Sequence, residues 1–180
     1  MVASGRGQAE GSEGEAALAG DRLRALFDEH YRALVKLASF YLDEVAACEE
    51  VVQDAFVRLL DGRRPADPAK AAPYLRSAVL NGARSQLRKR EVRRRPWPRP
   101  AAPPELTPEA SAIAADEQAR VLGALRQLPD RQADVLTLRY WMELSEAEIA
   151  ETLGISTGSV KTHAYRGIAR LAVLLGEEDT

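Results

Sequence analysis

Cysteine and histidine are scarce in this chain of 180 residues, which contains one cysteine and two histidines. Because Cys48 is alone, no disulfide can form within the chain, and we expect its thiol to be buried as a small hydrophobe rather than to sense oxidants. His30 and His163 are too few to complete a structural zinc site. The sequence therefore gives little support to a metal-dependent hydrolase, and we expect no metal and no cofactor.

Long apolar runs are also missing. Residues 1–20 carry Glu10, Glu13 and Glu15, whereas a secretory signal has a basic start followed by an apolar stretch. We therefore expect a cytoplasmic protein without membrane insertion. The composition, with 29% charged and 46% hydrophobic residues, is typical of one medium-sized domain or two small ones.

Charge is unevenly distributed, although the net charge is only −2. Residues 21–62 hold nine acids and five bases, whereas residues 76–99 hold nine bases and one acid. A basic block of this kind is either a solvated face or a surface that binds nucleic acid. Nucleic acid is the leading functional interpretation.

Proline marks the predicted boundary between two domains. Six of the ten prolines lie in residues 96–108, a density that excludes helix and favours a semi-rigid linker. The first domain is then 21–95 and the second 109–176. Residues 1–20, rich in Gly, Ala, Ser and Glu, lack periodicity, and we expect a disordered tail there.

Apolar residues recur at three- and four-residue spacing in the first domain, which predicts three helices. The first stripe comprises Leu23, Leu26, Phe27, His30, Leu34, Leu37, Ala38 and Tyr41; the second Cys48, Val51, Val52, Ala55, Phe56 and Leu59; the third Leu75, Val79, Ala83 and Leu87. The predicted fold class is all-α.

The second domain contains the signals of a helix-turn-helix. Ser145 and Glu148 form a capping box that starts a short helix, and Gly154 supplies the turn after it. Ser156 can cap a longer helix that follows. A short helix, a glycine turn and a longer helix is the pattern of DNA-binding proteins.

The longer helix has one apolar and one polar face. Its predicted inward residues are Val160, Ala164, Ile168, Leu171 and Leu175. Its predicted DNA-binding residues are Ser159, Lys161, Thr162, His163, Arg166 and Arg170. Arginine and lysine pair with guanine or phosphate, and hydroxyls reach bases or phosphates. The competing interpretation is an ordinary amphipathic surface helix.

The third helix of the first domain carries a basic face. Asn81, Arg84 and Arg88 lie on one side of it, offset from the apolar stripe, where they could follow a phosphate backbone or an exposed base. Tyr74 is either a core residue or a stacking surface. The alternative for the arginines is a basic segment that frays into the linker.

The second helix is acidic on its outer face, through Glu49, Glu50, Gln53 and Asp54. No nucleophile or metal ligand accompanies these side chains, so they have no defensible catalytic geometry. They are either a solvated face or a docking surface for a basic partner.

In this order, the motifs resemble those of the extracytoplasmic-function (group IV) sigma factors of bacterial RNA polymerase. The stretch EEVVQDAF at 49–56 and Tyr74-Leu75 followed by Asn81 and the basic tail resemble sigma region 2. Five short motifs of the second domain resemble region 4: LP at 128–129, LRY at 138–140, EIA at 148–150, LGIS at 153–156 and GSVK at 158–161. The resemblance covers about residues 21–95 and 110–175.

The resemblance implies a function for each surface. Glu49, Glu50, Gln53 and Asp54 would dock on the coiled coil of the largest polymerase subunit, and the loop 61–70 with Asn81 would hold a flipped minus-ten base. Tyr74, Arg84 and Arg88 would complete the minus-ten contacts. The helix-turn-helix would bind minus-thirty-five DNA, and the flap of the second-largest subunit is a further expected contact.

The resemblance also implies that the chain is not an enzyme but the promoter-recognition and melting subunit of RNA polymerase. An anti-sigma factor is an expected partner, and the protein would join the nucleoid when bound to polymerase. One alternative is an autonomous helix-turn-helix regulator, although residues 21–95 cannot supply the strands of a receiver domain. Another is a small nuclease, whose His or carboxylate cluster the sequence lacks.

Overall fold

The structure, a computed structural model, describes residues 6–61, 65, 67–92 and 119–176. These residues are mostly helical and include no strand, which confirms the all-α prediction. The helices are α1 (Arg6–Ser39), α2 (Val45–Leu60), α3 (Ala71–Val92), α4 (119–125), α5 (Asp130–Leu136), α6 (Glu146–Leu153) and α7 (Thr157–Leu175). A short 3-10 turn precedes α3, and the π-helical segment Thr137–Trp141 continues α5.

Helices α1, α2 and α3 pack against one another and form the first domain. The three predicted apolar stripes meet in its core, where Leu37, Val52 and Leu75 are completely buried. Phe27 lies at the edge of this core and stacks on Tyr31, with ring centroids 4.5 Å apart. Hydrophobic periodicity therefore predicted the three helices and most of their buried faces correctly.

Helix α1 begins earlier than periodicity predicts. Residues 1–20 were expected to have no regular structure, but the helix starts at Arg6. Alanine and glutamate, which have high helix propensity, make up seven of residues 6–20. Extending a helix that is already anchored in a core also avoids the cost of nucleating a new one. The lack of an apolar stripe in residues 1–20 argues against a helix face that packs on a core, but it does not argue against helix formation.

Helices α4 to α7 form the second domain. Val135, Leu138, Ile149 and Val160 are completely buried where α5, its π-helical extension, α6 and α7 converge. Each of these four side chains belongs to a different helical segment of the domain. Their burial fixes the angle between the two helices of the helix-turn-helix.

The two domains pack against each other and share one continuous apolar core. Across their interface, Trp141 Nε1 donates a hydrogen bond of 2.9 Å to the Lys36 carbonyl. The Arg126 guanidinium donates two bonds, of 3.0 and 3.1 Å, to the Phe40 carbonyl. The predicted linker 96–108 lies outside the described residues. Two helical domains were predicted, but nothing in the sequence pattern indicated this interface.

The inward face of α7 was predicted only in part. Val160 and Ala164 are buried as expected, but Ile168 is 46% exposed, so its predicted inward orientation was wrong. Gly167 takes the buried position instead. A Cβ atom at Gly167 would lie 3.0 Å from Cδ1 of Leu136. Helices α5 and α7 thus approach each other at the glycine, which turns the adjacent isoleucine toward solvent.

A second close approach joins α2 to α3 and yields a stability prediction. A Cβ atom at Gly82 would lie 2.9 Å from Cγ1 of Val51, a buried and rotationally stiff side chain. Gly82→Ala should therefore lower the free energy of unfolding by about 1 kcal/mol, because overpacking outweighs the gain in helix propensity. Urea denaturation followed by circular dichroism measures the change.

The matched control is Gly123→Ala in α4, where a new Cβ atom would meet nothing within 4 Å. It should stabilise the protein by about 0.5 kcal/mol through helix propensity alone. Equal stabilisation by both substitutions would show that α2 and α3 are not in tight contact at Gly82.

Candidate nucleic-acid and protein-docking surfaces

The turn between α6 and α7 has the geometry of a helix-turn-helix. Ser145 Oγ accepts a hydrogen bond of 3.3 Å from the Glu148 amide, and the Glu148 carboxylate accepts one of 2.9 Å from the Ser145 amide. Hydrogen bonds from Ser145 lower the pKa of Glu148. Gly154 ends α6 with φ of 64°, and Ser156 caps α7 by accepting a bond from the Ser159 amide at 3.1 Å. Both predicted caps and the predicted turn are confirmed.

The side of α7 that faces away from the core carries four of the residues predicted to bind DNA in exposed positions. They are Lys161, Thr162, Arg166 and Arg170. Lys161 Nζ lies 3.6 Å from a Glu146 carboxylate oxygen, while its side chain is still 68% exposed. The Thr162 hydroxyl donates to the Gly158 carbonyl at 3.0 Å, which leaves its oxygen able to accept. Three cations and a hydroxyl thus share this face.

Ser159 and His163 are less accessible than the other four predicted residues. Ser159 is half-buried, and its hydroxyl lies 2.9 Å from that of Ser156 within the helix cap. His163 is also half-buried, and its Nδ1 has no hydrogen-bond partner among the described residues. Ser159 therefore stabilises the start of α7, and His163 lies at the border of the exposed face.

Tyr165 is a residue of this face that the sequence analysis missed. It is 78% exposed and follows Lys161 by four positions and Thr162 by three, the spacings that place helix residues side by side. An exposed aromatic ring presents an apolar body and a polar hydroxyl together. The sequence could have indicated Tyr165 through its position between His163 and Arg166, two predicted DNA contacts on the same helix.

The basic face of α3 lies where the sequence predicted, with Asn81 and Arg88 exposed and Tyr74 half-buried against the core. The Asn81 side-chain oxygen accepts a hydrogen bond of 2.9 Å from Arg84 Nη2, so the two residues share one side of the helix. The loop 61–70 is described only in part. Asp67 within it accepts a bond from the Ala69 amide at 2.9 Å and caps the 3-10 turn.

Arg84 is not exposed like its neighbours. Only 14% of its side chain is accessible, and its Nη1 lies 2.9 Å from a carboxylate oxygen of Asp134 in the second domain. The other carboxylate oxygen of Asp134 accepts a 3.0 Å hydrogen bond from the Tyr41 hydroxyl. Burial raises the pKa of Asp134, while the charge of Arg84 and the Tyr41 hydrogen bond oppose that shift. Sequence periodicity could not reveal this pairing, because its members are far apart in the chain.

The acidic face of α2 presents Glu50, Gln53 and Asp54 to solvent, while Glu49 is half-buried. Glu49 is close to Tyr31, and burial, the charge of Glu49 and a hydrogen bond to it raise the pKa of that tyrosine. The predicted acidic surface is thus a continuous feature of the first domain. Glu50, Gln53 and Asp54 are its accessible part.

A groove runs between this acidic face and α3. It is lined by Val51 and Gly82, the residues at which α2 and α3 come into tight contact. Glu50 on one wall accepts a 3.3 Å hydrogen bond from Gln86 on the other. Charged and amide groups line this groove, so it suits the side chains of a polar partner better than an apolar ligand.

The part of the chain that the structure describes offers no cluster of three or more His, Cys, Asp or Glu side chains suited to a metal ion. None of its helices combines the length and hydropathy needed to cross a bilayer. The predicted surfaces therefore consist of charged and polar side chains on helices.

Comparison with known families assigns both domains. The model of the Sigma-70 region 2 family matches residues 26–93, and that of the Sigma-70 region 4 family matches residues 118–171. These segments coincide with the two helical domains. They include the basic face of α3 and the outward face of α7.

Curated relatives match most of the chain. An RNA polymerase sigma-E factor of Streptomyces avermitilis is 31% identical over 85% of this chain and 87% of its own length. The ECF RNA polymerase sigma factor SigM of Mycobacterium tuberculosis is 32% identical over 97% of this chain and 90% of its own length.

Solved structures agree. CnrH in complex with the cytosolic domain of CnrY is 25% identical, with a TM-score of 0.63 over 87% of this chain and 89% of that one. The sigma factor RpoE of Bartonella quintana, solved with the anti-sigma factor NepR, shares the fold, with a TM-score of 0.60 over 87% of this chain and 98% of that one, at 18% identity. Two sigma regions in sequence order, together with an ECF sigma factor that is 32% identical over nearly the whole chain, place this chain in the extracytoplasmic-function sigma factors of bacterial RNA polymerase.

Proposed function

We propose that the chain divides promoter recognition between its domains, the first docking on core polymerase and opening minus-ten DNA, the second reading the minus-thirty-five element. The observation that carries this proposal is the capped helix α7, whose exposed face holds Lys161, Arg166 and Arg170. The chain would act as a subunit of a larger enzyme rather than as a catalyst. It would work in the cytoplasm and lie on the nucleoid while bound to polymerase.

For the minus-thirty-five element, the N-terminal half of α7 enters the major groove. Lys161, Thr162 and Tyr165 then face base edges, and Arg166 and Arg170 lie along the flanking phosphates. The exposed N-terminal turn of α7, at the positive end of the helix dipole, adds attraction for a phosphate. This arrangement is supported by exposure and spacing, since all five side chains are solvent-accessible.

For the minus-ten element, α3 supplies one amide and two guanidinium groups on one side. Asn81 is exposed and able to bond a base edge, and Arg84 and Arg88 follow it at the spacing of one helical turn each. The half-buried Tyr74 keeps the start of α3 anchored in the core. The loop 61–70 would border the extruded base.

Two classes of protein partner are proposed. Gln53 and Asp54 of α2 fit a basic coiled coil of the largest polymerase subunit, and the flap of the second-largest subunit would contact the second domain. An anti-sigma factor is the other class. CnrH, whose structure matches 87% of this chain, was solved in complex with the cytosolic domain of CnrY.

Run-off transcription tests the proposal. Purified chain added to bacterial core polymerase should start discrete transcripts on genomic fragments of its own organism, whereas core alone should not. Sequence-specific DNA binding without core, combined with no transcript in its presence, would contradict the proposal and favour an autonomous regulator.

The docking surface gives a second prediction. Gln53→Ala combined with Asp54→Ala should weaken binding to core polymerase about three- to tenfold, because one charged and one hydrogen-bonding group are lost from an exposed interface. Fluorescence titration of labelled chain with core measures the affinity. Asp21→Ala, which removes one exposed acid of α1, is the control and should leave the affinity for core polymerase unchanged. Equal effects of the two variants would assign the loss to overall charge.

The recognition helix gives a third prediction. Arg166→Ala should reduce transcription from a minus-thirty-five-dependent promoter about tenfold and lower the salt dependence of promoter binding by about one phosphate contact. Arg24→Ala, which removes an exposed arginine of α1, serves as the matched control. Binding to core polymerase should be unaltered in both. A drop in core binding with Arg166→Ala would mean that α7 faces the polymerase instead of DNA.

A further inference from the structure

A cluster of three charged side chains lies where α6 and α7 begin. Glu146 Oε1 is 3.4 Å from Arg139 Nη1, and Glu146 Oε2 is 3.6 Å from Lys161 Nζ. Arg139 belongs to the π-helical extension of α5, Glu146 is the first residue of α6, and Lys161 is on α7. One carboxylate thus joins three helical segments and uses a different oxygen for each cation.

The chain before α6 is folded so that Glu146 faces the preceding helical segment. Glu143 has φ of 55°, a left-handed conformation that few residues other than glycine adopt. A hydrogen bond of 3.0 Å from the Leu144 amide to the Leu138 carbonyl closes this turn, and Ser145 then caps α6. An unfavourable backbone conformation persists only where the surrounding structure determines it. The fold of this turn therefore sets the position of Glu146.

The cluster restrains one mobile side chain with two less mobile ones. Arg139 and Glu146 are half-buried, whereas Lys161 is exposed. The Arg139 guanidinium also lies over the Tyr140 ring, 5.9 Å from its centroid, in a cation–π contact. Because Arg139 is held by this ring, the carboxylate that it binds has a restricted direction. Glu146 in turn restricts the directions that the Lys161 ammonium can take.

A carboxylate beside a DNA-binding helix changes what a neighbouring lysine can bind. A free lysine is a point charge on a flexible stem, so it contacts phosphate readily, and phosphate contacts carry no sequence information. Glu146 repels phosphate from the same place. The Lys161 ammonium has three donors, and pairing with one carboxylate oxygen leaves two for other acceptors. The O6 and N7 atoms of a guanine in the major groove are such acceptors.

We propose that Glu146 is a positioning residue of the minus-thirty-five interface, which directs the Lys161 ammonium toward a base edge and keeps it from the flanking phosphates. The inference rests on the proposed function of α7 and adds a residue that determines how selective this helix is. Arg139, on the other carboxylate oxygen, holds Glu146 in place and offsets its repulsion of DNA.

The first measurement is the selectivity of the reconstituted holoenzyme. The probes are a promoter fragment that gives a run-off transcript with wild-type chain and core polymerase, and the same fragment with its minus-thirty-five box scrambled. Glu146→Gln keeps the side-chain shape but removes the charge. It should lower the ratio of the affinities for the two fragments about fivefold, because one base contact is lost. Fluorescence anisotropy of labelled fragments measures both affinities.

The matched control is Glu151→Gln, which removes the same charge from an exposed position on another side of α6. It should leave the selectivity ratio unchanged.

The second measurement uses the full chain without polymerase and the scrambled fragment as the probe. Loss of the Glu146 charge makes Lys161 and Arg139 available to phosphates. Glu146→Gln should therefore bind this duplex more tightly than wild type, with a salt dependence steeper by about one phosphate contact. Glu151→Gln should not steepen it. A merely destabilised domain would bind the fragment more weakly, so the direction of the change separates positioning from loss of structure.

Two further variants test whether Glu146 acts through Lys161. Lys161→Ala should lower the selectivity ratio as Glu146→Gln does, and combining the two substitutions should cause no further loss. Glu146→Asp keeps the charge at the start of α6, but its shorter side chain cannot reach both cations, so it should give a smaller loss in the same direction. Far-UV circular dichroism checks that each variant is folded, and Glu146→Asp replaces Glu146→Gln if the latter is not.

An unchanged selectivity ratio in the folded Glu146→Gln variant would overturn the proposal. So would an equal loss from Glu151→Gln, or a further loss when Glu146→Gln is added to Lys161→Ala. The fate of the proposed function is read from wild type alone. Wild-type holoenzyme that does not distinguish the two fragments contradicts the function proposed for α7. Wild type that distinguishes them, together with a Glu146→Gln variant that does so equally well, refutes only the positioning role.

Discussion

The ion pair between Arg84 and Asp134 joins the two domains through a completely buried carboxylate, in addition to the apolar core that they share. A completely buried carboxylate is unfavourable unless a positive charge or hydrogen-bond donors compensate it. Here Arg84 and Tyr41 provide both, and both come from the first domain. Both groups that compensate the Asp134 carboxylate thus lie outside the domain to which Asp134 belongs. Its burial is therefore a property of the assembled chain, and it links the position of the second domain to the side of α3 that is proposed to bind DNA.

Much of the secondary structure could be predicted, because it is set by local rules. The capping box at Ser145, the turn at Gly154 and the cap at Ser156 each depend on residues within a few positions of one another, and all three were predicted correctly. The three stripes of the first domain follow from helical periodicity in the same way. The early start of α1 shows the limit of that rule, since helix propensity does not require an apolar face.

The parts that could not be predicted depend on how distant segments meet. Ile168 satisfies the inward spacing of α7, but the close approach of Leu136 at Gly167 rotates the helix and exposes it. Arg84 satisfies the spacing of an exposed basic face, but Asp134 from another domain covers it. A periodic pattern gives the angle of a residue on its own helix. It contains no information about which neighbour occupies the space beyond, so a buried pair and a solvated face look the same in sequence.

The two charged helices differ in how their charge is used. On α7 the cations of the outward face remain accessible, and the ion pair from Lys161 to Glu146 leaves the lysine 68% exposed. On α3 the cations are divided, with Arg84 buried in an ion pair and Arg88 largely exposed. The cations of α7 are therefore accessible to a partner, whereas Arg84 of α3 is held by a carboxylate of the same chain. One chain with a net charge of −2 thus carries an exposed basic face on α7 and a partly paired basic face on α3. Under the proposed function, once both domains are fixed on a polymerase, the second DNA contact would become intramolecular and gain from effective concentration, so neither helix would need a high affinity of its own.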